Sequence, residues 1–150
     1  MSINKNLLAP CGLYCGVCAT RYAYKNNDER LKQKLAKSYS LEVGDIKCEG
    51  CLSNFRSPFC NACSIRRCVK KKNISGCHEC EEFPCRRINK FPFKIAKEFM
   101  LKSIPARKKR TDEEWVKWEE ANWTCSSCNE VGFRGANRCP KCKNEINPQV

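Results

Sequence analysis

Apolar residues recur at helical spacing in three stretches of the chain, and the segments between them are punctuated by cysteine, glycine and proline. In DERLKQKLAKSY, Leu31, Leu35 and Tyr39 fall at i, i+4 and i+8 with lysines on the other side. Asp28 stands where an N-cap belongs, so an amphipathic helix is predicted there. Just before it, ATRYAYKNN reads as one or two helical turns. Past Pro92, Ile95, Phe99 and Met100 share a face of a predicted helix that Pro105 should stop. Thr111 with Glu114 three residues on forms a capping box, so another short helix starts there, with Trp115 and Trp118 on one face.

Composition shows how little else there is to build a core. The hydrophobic content is 41% of 150 residues, but 15 of those residues are cysteine. A chain with so few ordinary apolar side chains needs another source of folding free energy, and structural zinc supplies on the order of 10 kcal/mol. The N-terminal MSINKNLLAPCG lacks the charged and apolar regions of a leader peptide. No stretch approaches the roughly twenty apolar residues that span a bilayer. The expected protein is soluble and cytoplasmic, in a compartment that keeps thiols reduced.

Eight of the cysteines lie between Cys48 and Cys85. Cys60, Cys63 and Cys68 form C-x2-C-x4-C, which Cys77, Cys80 and Cys85 repeat, and CEGC adds Cys48 and Cys51. Nearer the start, CGLYCGVC places Cys11, Cys15 and Cys18 at C-x3-C-x2-C, with Gly12 and Gly16 allowing a tight turn. A CxxC turn lets two thiolates grip one ion, and two such turns close a tetrahedral site. Metal ligation therefore explains the pattern better than a disulfide framework does.

The last module, WTCSSCNEVGFRGANRCPKCKNEI, carries Cys125/Cys128 and Cys139/Cys142. These predict one closed four-cysteine zinc site on two knuckles and a short hairpin, a zinc ribbon. The module resembles short zinc ribbons, and its Trp-x-Cys opening also resembles the Ran-binding-protein type of finger. Gly132 stands where that finger carries the asparagine used in RNA recognition.

Upstream, the simplest grouping joins Cys48/Cys51 with Cys60/Cys63. That leaves the triads Cys11/Cys15/Cys18 and Cys77/Cys80/Cys85, with Cys68 free to complete either. The chain's only histidine, His78, would bring the ligands to sixteen and the zinc ions to about four. A triad left without a fourth ligand would keep an open metal position.

The ordered set APCGLYCGVC, DIKCEGC, CNACSIRRC and CHECEEFPC resembles a widespread bacterial and archaeal cysteine-rich family of unknown function, over about residues 8–90. The resemblance implies metal binding, with zinc as the metal, and brings no established activity.

The expected architecture is small, metal-stabilised and α+β or irregular. It comprises a cysteine-rich domain (1–89), a basic helical linker (90–121) and a four-cysteine zinc ribbon (122–150). The formal charge of +13 invites nucleic acid. Fifteen thiolates holding four divalent ions would remove about half of it. The contacts such a partner would use are Arg107, Lys108, Lys109 and Arg110 in the linker, and Phe133, Arg134 and Arg138 in the ribbon. An iron-sulfur cluster at Cys11, Cys15 and Cys18, serving electron transfer or sensing, is a competing reading of that spacing. No nucleophile-base constellation accompanies Glu79, Glu81 or Glu82. The function expected is binding, with a protein partner or nucleic acid and no membrane, rather than catalysis.

Overall fold

The computed structural model describes residues 2–148. Its regular elements are helices: α1 (Ala19–Lys25), α2 (Glu29–Tyr39), α3 (Pro58–Asn61), α4 (Ser64–Lys72), α5 (Arg86–Asn89), α6 (Lys94–Lys108) and α7 (Asp112–Trp123). Short 3-10 turns occur at Lys5–Leu7, Cys15–Val17, Val43–Asp45 and Cys77–Glu79. Among the described residues, β structure is confined to three isolated antiparallel bridges, Leu8 with Tyr14, Thr124 with Val131, and Arg138 with Glu145. The chain is thus small, mostly helical and cysteine-rich, and of the expected α+β or irregular architecture the β part is limited, among the described residues, to these three bridges. Two of the bridges flank CxxC turns whose amides bend back toward the thiols, so each ladder ends after one pairing.

The capped helices start where the sequence places them. The Asp28 carboxylate accepts from Leu31 N at 2.9 Å, and α2 turns Leu31, Leu35 and Tyr39 onto a small core of Ala23, Ala36 and Ile46. At α7 the Thr111 hydroxyl accepts from Glu114 N at 3.2 Å while the Glu114 carboxylate accepts from Thr111 N at 2.9 Å. Thr111→Ala removes the first of these bonds, and thermal or denaturant unfolding should show a loss of about 1 kcal/mol. An unchanged midpoint would mean that packing alone sets the start of α7.

Helix α6 departs from expectation, because it runs through Pro105 to Lys108. A proline in a helix interior costs about 3 kcal/mol, but here only one turn follows it. Met100 and Ile104 are each 1% exposed, and the burial of such side chains stabilises by about 1.5–3 kcal/mol apiece, enough to hold the turn. Beyond Pro105, Arg107 is also buried, pairing with Asp112 and donating to Arg110 O at 3.0 Å.

Two further small cores complete the fold. One joins α4, α5 and α6 through Ile65, Val69, Ile88, Met100 and Ile104. The other brings Leu7, Tyr14 and Val17 from the start of the chain against Val116 and Trp123 of α7 and against Cys125, Cys139 and Ile146. Residues 90–121 contribute buried side chains to both, Met100 and Ile104 to the first and Val116 to the second. Gly12 sits at φ +90 beneath α6, where an added Cβ would lie 2.7 Å from Ile104 Cγ1, so the first cysteine turn abuts the helix directly. No helix among the described residues is long and apolar enough to cross a membrane.

Candidate metal centre

Two knuckles of the same local design face each other after α7. In the first, Cys125 N donates to Glu130 O and Asn129 N donates to Cys125 O; in the second, Cys139 N donates to Asn144 O and Lys143 N donates to Cys139 O. The residue after the second cysteine of each knuckle is left-handed, Asn129 at φ 60 and Lys143 at φ 67, which turns the chain back over its own thiols. The four sulfur atoms all lie within 4.8 Å of one another. Cys125 Sγ is 3.5 Å from Cys142 Sγ, and Cys128 Sγ is 3.6 Å from Cys139 Sγ. Tetrahedral zinc with Zn–S bonds of about 2.3 Å requires sulfurs about 3.8 Å apart, so the set fits one ion with little movement.

The surrounding amides favour the charged form that a metal needs. Hydrogen bonds from the backbone N–H groups of Cys128 and Ser127 bring the Cys125 thiol down to about 6. Burial raises Cys139, but the amides of Cys142 and Lys141 bring it below its ordinary value. Cys128 has the Glu130 amide in its favour, yet burial and the hydrogens it shares with Cys139, Cys142 and Cys125 push it up to about 12. In a metal-free cluster the thiols share protons, and a divalent ion replaces those protons with a single positive centre.

The remaining eleven cysteines are all free thiols. Around α3, Cys51 hydrogen-bonds to Cys60 and brings it down to about 6, while the Cys51 thiol itself is held well above its ordinary range. Cys15, raised by burial and then by Cys18, takes a hydrogen bond from the Cys51 amide. Cys48, also raised by burial, takes amide hydrogen bonds from Gly50 and Ser57 and feels the charges of Cys60 and Cys18. The first cysteine turn thus neighbours Cys48, Cys51 and Cys60. Cys77, pushed up to about 12 by burial, has Cys11, Cys85, Cys80 and Cys68 as its charged neighbours. Cys11 is pushed up to about 12 by burial and feels Cys63 and Cys60, so it lies between the two groups.

His78 has different company. It lines a cavity of about 210 Å³ with Arg107, Asp112 and Trp115, and its Nε2 lies 3.4 Å from Ser75 Oγ. Burial and the Arg107 guanidinium hold the imidazole below its usual value.

Of the candidate nucleic-acid contacts, Lys108, Lys109 and Arg138 are exposed. Arg107 is buried against Asp112 and is withdrawn from phosphates. Arg110 stacks 4.9 Å from the Trp118 ring, and Phe133 packs 5.3 Å from Tyr22. Arg134 donates to Glu119 Oε2 at 3.2 Å and to Tyr14 O at 3.0 Å. Burial counts against the ionised form of Glu119 and raises its carboxyl, with Arg134 opposing the rise. This pair ties the C-terminal knuckles to the first cysteine turn; an arginine in GFRGAN and a glutamate on a tryptophan-bearing helix gave no signal of it.

A family model described as "Protein of unknown function (DUF3795)" matches residues 7–90. No curated protein and no solved structure matches the chain.

Proposed function

The chain belongs to the DUF3795 family of proteins of unknown function, and we propose that it is a zinc-binding module that presents surfaces to a partner rather than a catalyst. The observation that carries this reading is the set Cys125, Cys128, Cys139 and Cys142, whose thiols lie within 4.8 Å and leave no ligand position open. A four-thiolate site of this kind is structural, since catalytic zinc keeps a position for water or substrate.

In this reading, the remaining cysteines hold further zinc in two neighbourhoods: Cys15, Cys18, Cys48, Cys51 and Cys60 around α3, and Cys68, Cys77, Cys80 and Cys85 beside α4. Cys11 and Cys63 lie at their junction and complete the ligand sets. His78 stays outside, as its polar company with Ser75, Arg107 and Asp112 supports. The three small apolar cores support a structural role for metal, because none is large enough to hold the fold alone.

Elemental analysis on protein purified without oxygen tests the reading. Three to four zinc per chain with no visible absorption band is the expected result. Iron with sulfide and a broad band near roughly 400 nm would replace it with a redox role for Cys11, Cys15 and Cys18.

A further inference from the structure

On the face formed by α3, α4 and α5 an open cleft of about 500 Å³ combines an aromatic wall with a cationic one. Its apolar wall is aromatic: Phe59 and Phe91 line it, with ring centroids 5.9 Å apart at 88°. Phe93 backs them, 4.8 Å from Phe59 and 6.2 Å from Phe91. Its other wall is cationic, made by Arg86, Arg87 and Lys90, all exposed. No carboxylate lines it, and none of the three cations makes an ion pair among the described residues. Glu82, whose charge Arg87 does sense, is already paired with Lys72.

We propose that this cleft binds single-stranded nucleic acid, with bases against Phe59 and Phe91 and phosphates along Arg86, Arg87 and Lys90. Sequence-tolerant single-strand binding needs both parts, a ring face for the base and a row of cations for the backbone. A purely acidic peptide would satisfy the cations and leave the ring wall unused. The exposed rim leaves the cleft open to a continuing strand rather than closed around a single small molecule. Of the basic residues elsewhere that the sequence offers for such contacts, Arg107, Arg110 and Arg134 are committed by the fold to Asp112, Trp118 and Glu119, while Lys108, Lys109 and Arg138 stay exposed. The inference rests on the reading of the chain as a metal-stabilised binding module, since Phe59 adjoins Cys60 and Arg86 adjoins Cys85.

The test is fluorescence anisotropy of a labelled oligothymidylate of about fifteen nucleotides, a length that covers one module's site size, titrated with the metal-loaded full chain over a series of salt concentrations. The native chain should bind with an affinity that falls with salt. Combined Arg86→Ala, Arg87→Ala and Lys90→Ala should weaken binding at least tenfold and make the log-log salt slope shallower by about two, since each single-strand phosphate contact contributes about 0.7. Phe91→Leu, which keeps an apolar side chain, should weaken binding roughly tenfold with the salt slope unchanged. Lys90→Glu alone is the second charge variant, and it should also weaken binding.

Native-like binding by the charge variants would overturn the proposal, as would displacement of the oligonucleotide by polyglutamate as readily as by unlabelled oligonucleotide. Metal content is measured on the same samples. A metal-loaded native chain that fails to bind at low salt sinks the cleft and leaves the metal reading intact. Binding by a folded chain that holds no metal would support the cleft and remove the metal reading.

Discussion

Stripping metal from the chain with an excess of a strong chelator at neutral pH should unfold it. Structural zinc contributes on the order of 10 kcal/mol of combined binding and folding free energy, comparable to the whole stability of an ordinary domain at about 5–15 kcal/mol. The clearest local reporter is Trp123. It is 3% exposed, packs edge-on to Phe99 with centroids 5.9 Å apart, and shares its core with Cys125 and Cys139. Its emission should shift to the red as metal leaves, together with loss of the near-ultraviolet circular dichroism.

Cys139→Ala isolates the C-terminal centre, since Cys139 is fully buried and belongs to the four-thiol set. The variant should retain one metal ion fewer and melt well below the native chain. If the chelated chain kept its melting temperature and its tryptophan emission, the three apolar cores would be sufficient after all and the structural role of metal would be withdrawn.

Arg134→Met is the second large effect. Its guanidinium and the Glu119 carboxylate are both largely removed from solvent, with side-chain exposures of 11% and 3%. Removing one partner of such a pair leaves a buried charge uncompensated, at a cost of about 3–5 kcal/mol. For a chain of this size that lowers the melting temperature by roughly 10 °C. The loss should be local as well as global, because the Arg134 side chain also holds Tyr14 O at 3.0 Å, beside the backbone bond from Arg134 N–H to Val17 O that the variant keeps. These contacts position the turn that carries Cys15 and Cys18.

The pH dependence has a definite sign. Burial already raises the Glu119 carboxyl against the opposing pull of Arg134, so the folded chain keeps that proton to higher pH than the unfolded chain does. Without Arg134 the folded value rises further. The penalty of the substitution then grows as pH rises through the folded value and shrinks as pH falls toward the ordinary carboxylate range. The difference in stability between Arg134→Met and the native chain should therefore be larger at pH 7 than at pH 5, with effects common to both proteins cancelling. Arg134→Met combined with Glu119→Leu should regain most of the loss, because an apolar pair needs no compensation. A loss that does not change with pH would show that Arg134 acts by packing on Phe99, over whose ring its guanidinium lies 5.9 Å from the centroid, and not through charge.

What could be read in advance divides by the range of the interaction. Asp28 caps α2 and Thr111 with Glu114 caps α7 through bonds spanning three residues, and these follow from the local sequence. The knuckles at Cys125 and Cys139 follow in the same way, because each closes on itself within a few residues. Pro105 misled because local propensity marks a helix end there, whereas the burial of Met100 and Ile104 carries α6 onward. Arg107 and Arg134 misled similarly. A lone basic side chain in a polar stretch gives no sign that Asp112 or Glu119 will enclose it.

By itself the sequence determined the helices with strong caps, the cysteine turns and their capacity for metal, because spacing over a few residues sets which thiols one ion can reach. Only the tertiary structure decided which distant thiols become neighbours, that His78 lines a cavity with Arg107 and Asp112, and that Phe59 and Phe91 meet Arg86, Arg87 and Lys90 around one cleft. Those outcomes depend on how two small cores stack α4 to α7 over the cysteine loops while a third packs α1 against α2. The free energy of that stacking comes from burial between segments far apart in the chain, which no local pattern records.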